Sequence, residues 1–503
     1  MPISLSHLLP ANSNASAQID KQFKKVISPI ALGKMASKCG LKQRQSHFNP
    51  SAYMQALLVC SGSNEQYNFA TINKQYGITS KHPMHDKPFH NRLRSPESRE
   101  FIESAFKRIY SFVNSISASP TRGKNLLNAL RNKGLDIDDI VCIDGSYWHV
   151  KGELEHIFPG SRAHVKADNS ADGSPVPYGS KKSQNAQIGI QTVYSPVSNF
   201  VKEVTITSGT ANEKDYVSIP ENERLLYTLD AGYVKYSMLK EMDDKGHYFM
   251  IRGKRNMDGE IIDCHLNGVK EQSFIGLRLK DRLVGSYMKM DDMTLTVRLN
   301  NGLTVRVLRV WSRSKSDISF LITNIKNTTF TARELAAIQK IRWQVELFFK
   351  ALKSGVNLRG IKTKIVDIIY SLIYVSFIVA MLKYLIFLAV DTGLQKGGKT
   401  MQSASFYKIF VSSMTYWTSY IKSLFSKGIT KLQELLKSFI PRIGSYLKLG
   451  VDPRSQTVSM VLSTRMLKTR PNCQCKNCPS MTSPYGLALP IIDCQSFAFA
   501  KAL

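Results

Sequence analysis

Acidic residues are scarce in this chain. Of its 503 residues, 38 are Asp or Glu against 68 Lys or Arg, a formal net charge of +30 at pH 7. A surplus of that size destabilises a compact state by self-repulsion unless a polyanion takes it up. Nucleic acid is the first partner that would do so, because each neutralised phosphate releases counterions. An anionic membrane surface is the second. Cysteine is sparse too. The eight, at 39, 60, 142, 264, 473, 475, 478 and 494, are too scattered for a disulfide framework. The opening MPISLSHLLPANSNASAQID lacks the charged start and apolar core of a signal peptide. These absences predict a reducing, cytoplasmic setting.

Long apolar runs are nearly missing as well. One stretch, IIYSLIYVSFIVAMLKYLIFLAV (368–390), is interrupted by Lys383. Its longest uncharged run, Ile368 to Leu382, falls short of the roughly 18 residues a membrane span needs. It reads as a buried core helix, with a membrane helix as the alternative.

What is present divides by texture. Residues 1–135 read as helical, with apolar residues at three- and four-residue spacing in PSAYMQALLVC (50–60) and SREFIESAFKRIYSFVNSI (98–116) and basic residues between them. A solvated basic bundle and a DNA-binding domain both fit. From 136 to 254 short apolar runs alternate with helix patterns. DIVCID (139–144) and RLLYTLD (224–230) are strands ending in an acid, AQIGIQTVYS (186–195) and NFVKEVTITSG (199–209) are paired strands, VKYSMLKEMDDKG (234–246) is an amphipathic helix, and HYFMIRGK (247–254) returns to strand. Alternation dominates 255–330, where MTLTVRLNNGLTVRVLRVW (293–311) carries hairpin turn chemistry at NNG. Helices resume over 331–395 and, with an irregular tail, over 396–503.

Two acids, Asp144 and Asp230, stand at the carboxyl ends of apolar strands, where ligand sites form in α/β sheets. A third, Glu346, is the lone carboxylate of KIRWQVELFFKALKS (340–354). On a helix, Ile341, Val345, Phe348 and Leu352 form the core stripe; Arg342, Glu346, Phe349 or Lys350, and Lys353 lie on a neighbouring one. An Arg342–Glu346 pair runs base before acid, the weaker i, i+4 order, worth a few tenths of a kcal/mol. Helix stability therefore explains the pattern poorly. A carboxylate that binds metal, flanked by cations that grip phosphate, explains it better. Three carboxylates converging from two strands and a helix suit two Mg²⁺ ions about 3.5–4 Å apart. Each aspartate alone is more often a cap or turn residue, so the helix decides.

R-x3-E-x6-K, at Arg342, Glu346 and Lys353, resembles the Y-R-E-K signature (Y-x2-R-x3-E-x6-K) of the DDE transposases of the insertion-sequence-four family, CIDGS (142–146) its first-aspartate strand, and LDAGY (229–233) its second-aspartate motif. The resemblance covers roughly 135–390, and Gln339 stands where the signature has tyrosine. It implies an α/β fold: a ribonuclease H-like core, a mixed sheet flanked by helices, interrupted by a β-rich insertion, with helical N- and C-terminal regions. It implies Asp144, Asp230 and Glu346 as catalytic metal ligands for two Mg²⁺, with Mn²⁺ able to substitute, that nick DNA at the element's inverted-repeat ends and join the freed 3′-hydroxyls to target DNA. Double-stranded DNA is the implied partner, with a homodimer when two ends are synapsed, in the nucleoid of a bacterial-type cell. Arg342, Lys353, Lys350, Arg252 and Lys254 would contact phosphate, and Trp343 would stack a flipped base; Trp311 is a weaker wedge candidate, and core packing is the alternative for both tryptophans. A structure-specific nuclease on the same core and a catalytically decayed DNA-binding copy remain open. CQCKNC (473–478) with Cys494 offers four thiolates, but in a spacing that does not predict structural zinc.

Overall fold

The computed structural model describes residues 21–42, 47–63, 67–80, 82–116, 121–160, 186–254, 257–266, 268–282, 293–311, 318–326, 330–356, 362–396 and 406–427. The CQCKNC segment and the helices expected beyond 427 lie outside them.

Helices come first. α1 (Pro29–Lys38) and α2 (Pro50–Gly62) each carry Pro in their first turn and a capping side chain: Ser28 accepts from the Ala31 amide, and Asn49 accepts from those of Ser51 and Ala52. α3 (Phe69–Ser80), α4 (Asp86–Leu93), α5 (Pro96–Ile116) and α6 (Thr121–Asn132) complete this region. One sheet follows, of β1 (Asp139–His149), β2 (Gln187–Ser195), β3 (Phe200–Ser208), β4 (Leu225–Leu229), β5 (Tyr248–Arg252), β6 (Gly259–Leu266), β7 (Val269–Lys270), β8 (Met293–Leu299), β9 (Thr304–Trp311) and β10 (Ile318–Thr323), with α7 (Tyr236–Asp244) between β4 and β5 and α8 (Leu279–Arg282) between β7 and β8. After it come α9 (Ala332–Gln339), a 3₁₀ turn at Lys340–Arg342, α10 (Trp343–Gly355), α11 (Val366–Lys396), α12 (Phe406–Ser412) and α13 (Trp417–Lys427).

The strand order is β3-β2-β1-β4-β5-β10-β9-β8-β6-β7. β1, β2 and β3 are an antiparallel meander; β1, β4 and β5 run parallel. β10 pairs antiparallel with β5, so the segment rich in alternation is continuous with the same sheet. The β8–β9 hairpin turns at NNG, where Gly302 takes the φ of +81° that a side chain would resist.

Register corrects one sequence expectation. β1 does not end at Asp144 but runs on to His149, paired throughout with β2. Its parallel pairing with β4 stops at Cys142–Thr228. From Asp144 onward the β4 side of β1 is therefore open, and Asp144 stands level with the point where the chain leaves β4 at Asp230.

α11 is the one helix among the described residues long and apolar enough to cross a membrane, and 89% of that apolar window is buried inside the protein. Its Lys383 is fully buried, and burial drives its pKa well below the usual lysine value. Its Nζ donates to three carbonyls, Gly62 (3.0 Å) at the end of α2, Gly355 (2.8 Å) at the end of α10 and Phe410 (3.2 Å) in α12. It lies 5.1 Å over the Trp417 ring, whose indole donates to the Leu58 carbonyl at 2.6 Å. A Cβ on Gly62 would lie 2.2 Å from Trp417 Nε1, so the helices meet this closely only at glycine. Lys383→Met leaves those carbonyls without their donor and is expected to cost about 3 kcal/mol of stability. A chemical-denaturation midpoint equal to the parent's would contradict this.

Candidate active site

The two aspartates and the glutamate arrive from three elements by three different routes. Asp144 is held mid-strand in β1, where its Oδ1 accepts from the Gly145 amide at 3.0 Å. Asp230 follows β4 directly and opens the 3₁₀ turn Ala231–Tyr233. Glu346 lies in the first turn of α10. The orientation of α10 follows from its apolar face. Val345, Phe348 and Leu352 are buried as the stripe predicts, with Phe349 edge-on to Trp148 of β1 (ring centroids 6.3 Å apart) and Phe348 5.8 Å from Tyr194 of β2. That docking turns the adjoining polar stripe toward Asp144.

Arg342 joins the acids. Its Nη1 donates to Asp144 Oδ2 at 3.4 Å, and its Nη2 pairs with Glu346. Burial works against its charge, but Asp144, Glu346 and Asp230 outweigh that and hold its pKa above the usual value. The pair dismissed as weak helix bonding does form, and its worth comes from the second carboxylate, on the sheet. Asp144 is strained electrostatically: burial pushes its pKa up to about 6, Arg342 opposes the rise, and Glu213 and Glu346 add to it.

The remaining predicted residues divide. Lys353 lies 5.0 Å over the Trp148 ring, its pKa lowered by burial and raised in part by Asp144. Trp343 is 40% exposed, next to Arg342 in the chain and at the surface rather than in the core. Lys350 reaches away, 4.9 Å over the Tyr407 ring. Arg252 is exposed at the end of β5, with Lys254 two residues on. Of Trp311 only the backbone is described, at the end of β9.

Sequence reasoning marked one further residue without its contact and missed another. Gln339, the last residue of α9, donates from Nε2 to the carbonyl of Leu229 at 3.0 Å, tying the approach to α10 to the residue before Asp230. Its Oε1 is buried with no hydrogen-bond partner. Glu213, in the 3₁₀ turn Glu213–Tyr216 after β3, accepts from Tyr147 Oη at 2.6 Å. Nothing in ANEKDY marked it, because a half-buried acid in a polar loop has no periodicity to betray it.

The donors are carboxylate oxygens, which hard divalent cations prefer. Asp144, Asp230, Glu346 and Glu213 outnumber Arg342 and Lys353, leaving surplus negative charge. Among the described residues no three His, Cys, Asp or Glu converge closely enough to hold a metal ion, and the Arg342 guanidinium bridges Asp144 and Glu346. The set fits a divalent cation in donor chemistry and charge, with an arginine now joining two of the donors.

Residues 136–382 match the family model described as the transposase DDE domain. The chain is 22% identical over 311 residues to the transposase for insertion sequence element IS1151 of Clostridium perfringens, covering 53% of this chain and 58% of that protein. It is 26% identical over 196 residues to the y4zB protein of Sinorhizobium fredii (strain NBRC 101917 / NGR234), covering 38% of this chain and 52% of that protein. The chain thus spans little more than half the length of these relatives. A cryo-EM structure of a piggyBac transposase synaptic complex with hairpin DNA aligns over 83% of this chain and 84% of that one, at 10% identity and a TM-score of 0.38, too loose a likeness to carry an argument.

The raised pKa of Asp144 has a signed consequence. The folded state binds this proton more tightly than the unfolded chain, so the stability it contributes is present below about pH 4 and lost as pH rises through about 6. Asp144→Asn is expected to stabilise the chain at pH 7, by up to about 3 kcal/mol, and to lose that gain toward pH 4. Thermal unfolding across pH checks it; an equal effect at both ends contradicts it.

Proposed function

We propose that this chain is a DDE transposase of the insertion-sequence-four type that cleaves DNA at the inverted-repeat ends of its element and joins the freed 3′-hydroxyls to target DNA. The observation that carries the reading is Arg342 drawing Asp144 of β1 and Glu346 of α10 together at the open end of β4, where Asp230 leaves the sheet, inside a segment that matches a transposase DDE domain. The strand order β3-β2-β1-β4-β5, three antiparallel and then two parallel, supports a ribonuclease H-like core. In that reading β6–β9 are the insertion, and β10 brings the chain back beside β5.

Asp144, Asp230 and Glu346 would hold the metal. Two Mg²⁺ ions, when bound, supply activation of the attacking hydroxyl and charge stabilisation for the leaving oxygen. The chain's own residues do the rest. In the DNA-free chain Arg342 bridges two of the three carboxylates; a DNA phosphate offers the guanidinium a better bidentate partner and frees those carboxylates for cations. Lys353, poised over Trp148, is the second phosphate contact. Arg252 and Lys254 extend the basic track along the end of β5, Lys350 adds an outer contact, and exposed Trp343 offers a platform on which an unstacked base can rest. Gln339 takes the tyrosine position of the signature without its hydroxyl. Its amide braces the end of β4 instead, a positioning role compatible with an active enzyme. Two element ends call for two protomers on DNA.

Asp144→Ala, Asp230→Ala and Glu346→Ala should each abolish Mg²⁺- or Mn²⁺-dependent cleavage of an inverted-repeat duplex while leaving binding to that duplex within a few-fold, the expectation when only a catalytic metal is lost. A variant that still cleaves normally removes its residue from the triad. Cleavage without joined target products would point to the structure-specific nuclease instead.

A further inference from the structure

The carboxylate site leaves open which part of the chain tells its own DNA from any other. The helical region before the sheet holds a candidate. There α3 and α4 are two helices joined by a short, braced turn. Ser80 Oγ, at the end of α3, accepts from the His82 amide (3.1 Å) and donates to the His82 carbonyl (2.7 Å). From the middle of α3, Asn73 Nδ2 donates to the Met84 carbonyl at 3.0 Å and to Asp86 Oδ1 at 2.7 Å, which fixes where α4 begins.

One face of α4 pins it to the bundle. Phe89 and Leu93 are buried, and the Phe89 ring packs against Tyr53 of α2 and against Phe69 and Tyr76 of α3, with centroids 5.8, 5.6 and 5.5 Å away. Arg92 is used on the protein as well: its guanidinium lies 4.3 Å over the Phe48 ring, and its Nη1 donates to the Leu41 carbonyl at 2.9 Å. What points outward follows from the helical period. Lys87, Asn91 and, at the C-cap, Arg94 share the face opposite Phe89 and Leu93, and all three are exposed. Charge in this region is of one sign. From Tyr67 to Arg94 the sequence has one acid, Asp86, already bonded to Asn73, against Lys74, Lys81, Lys87, Arg92 and Arg94.

We propose that α4 is the helix that reads the base sequence of the element's ends, lying in the DNA major groove with Lys87, Asn91 and Arg94 toward the bases. This deepens the transposase reading and rests on it. A helix is about 10–12 Å across and the major groove about 12 Å wide, so an exposed helix face enters it. The eight residues of α4 rise about 12 Å, enough to cover roughly three to four base pairs. The stripe also has the chemistry of base edges. Arginine pairs bidentately with guanine and asparagine with adenine, while lysine meets guanine or a phosphate. An anionic bilayer fits the stripe less well, because it carries no apolar side chain to enter lipid. α3, braced against α4, crosses the DNA backbone, as the first helix of such a pair does.

The test is selection of duplexes from a random-sequence pool by the full chain. Affinities for the selected duplex and for a scrambled one are then measured, with thermal unfolding as the check on folding. The parent is expected to select a motif present in the inverted repeats that flank its gene. Asn91→Ala and Arg94→Ala should each weaken binding to that motif by about 5- to 150-fold and relax the selection at one base pair, the two positions lying within about four base pairs of each other. Lys74→Ala, on exposed α3 surface, should weaken selected and scrambled duplexes alike and leave the motif unchanged. If Asn91→Ala and Arg94→Ala select the parent's motif, or lose affinity for motif and scrambled DNA equally, α4 is not the reader and the proposal is overturned, while the transposase reading stands. If the parent selects no motif at all, the reading of a chain that binds its own element's ends falls, and α4 with it.

Discussion

The site is built around one partly buried guanidinium. Arg342 is 17% exposed and spans a carboxylate on the sheet and another on its own helix. Without it, docking α10 on β1 would press two like charges together in a region where burial already pushes Asp144 toward its protonated form. Left with neither carboxylate the guanidinium would be an uncompensated charge in a largely water-excluded place, which makes it a register pin between helix and sheet. The apolar stripe of α10 supplies the adhesion, through Val345, Phe348 and Leu352 against β1 and β2. Arg342 supplies the angle. At the far end of the same helix, buried Lys383 collects the carbonyls of α2, α10 and α12, so α10 is anchored at both ends by a cation.

The sheet explains why the acids meet. β1 outruns its parallel neighbour β4, and the gap beside Asp144 is bounded by Asp230 as the chain turns away. Crevices at the carboxyl ends of parallel strands are the usual ligand positions in α/β sheets. Here the crevice is closed on one face by α10 and on the other by the Glu213 turn. The strands after β5 add a wide antiparallel wing, and β10 delivers the chain back to the middle of the sheet, from which α9 and α10 start.

Much of this was legible in the residues, and the reason is local. Alternation and apolar runs identified the strands, and three- and four-residue spacing identified the helices and the buried face of α10. Asp230 at the end of RLLYTLD stood where the run predicted. Asp144 did not end its strand, because pairing with β2 continues where pairing with β4 stops, and only tertiary register reveals that. The strength of the Arg342–Glu346 pair was misjudged for the same reason: its decisive partner lies 198 residues away in sequence. Glu213, Gln339 and Lys383 were silent or misleading in one dimension. A polar loop acid, an amide at a tyrosine position and a lysine in an apolar helix acquire meaning only from what they touch.

The central claim is that Arg342 holds a place that DNA and cations later take. A structure of the chain bound to an inverted-repeat duplex, with Mn²⁺ located by anomalous scattering, tests it most directly. The account predicts Mn²⁺ ligated by Asp144 together with Asp230 or Glu346, and the Arg342 guanidinium moved onto a backbone phosphate. Mn²⁺ bound elsewhere, or Arg342 still bridging Asp144 and Glu346 in the DNA complex, would contradict it.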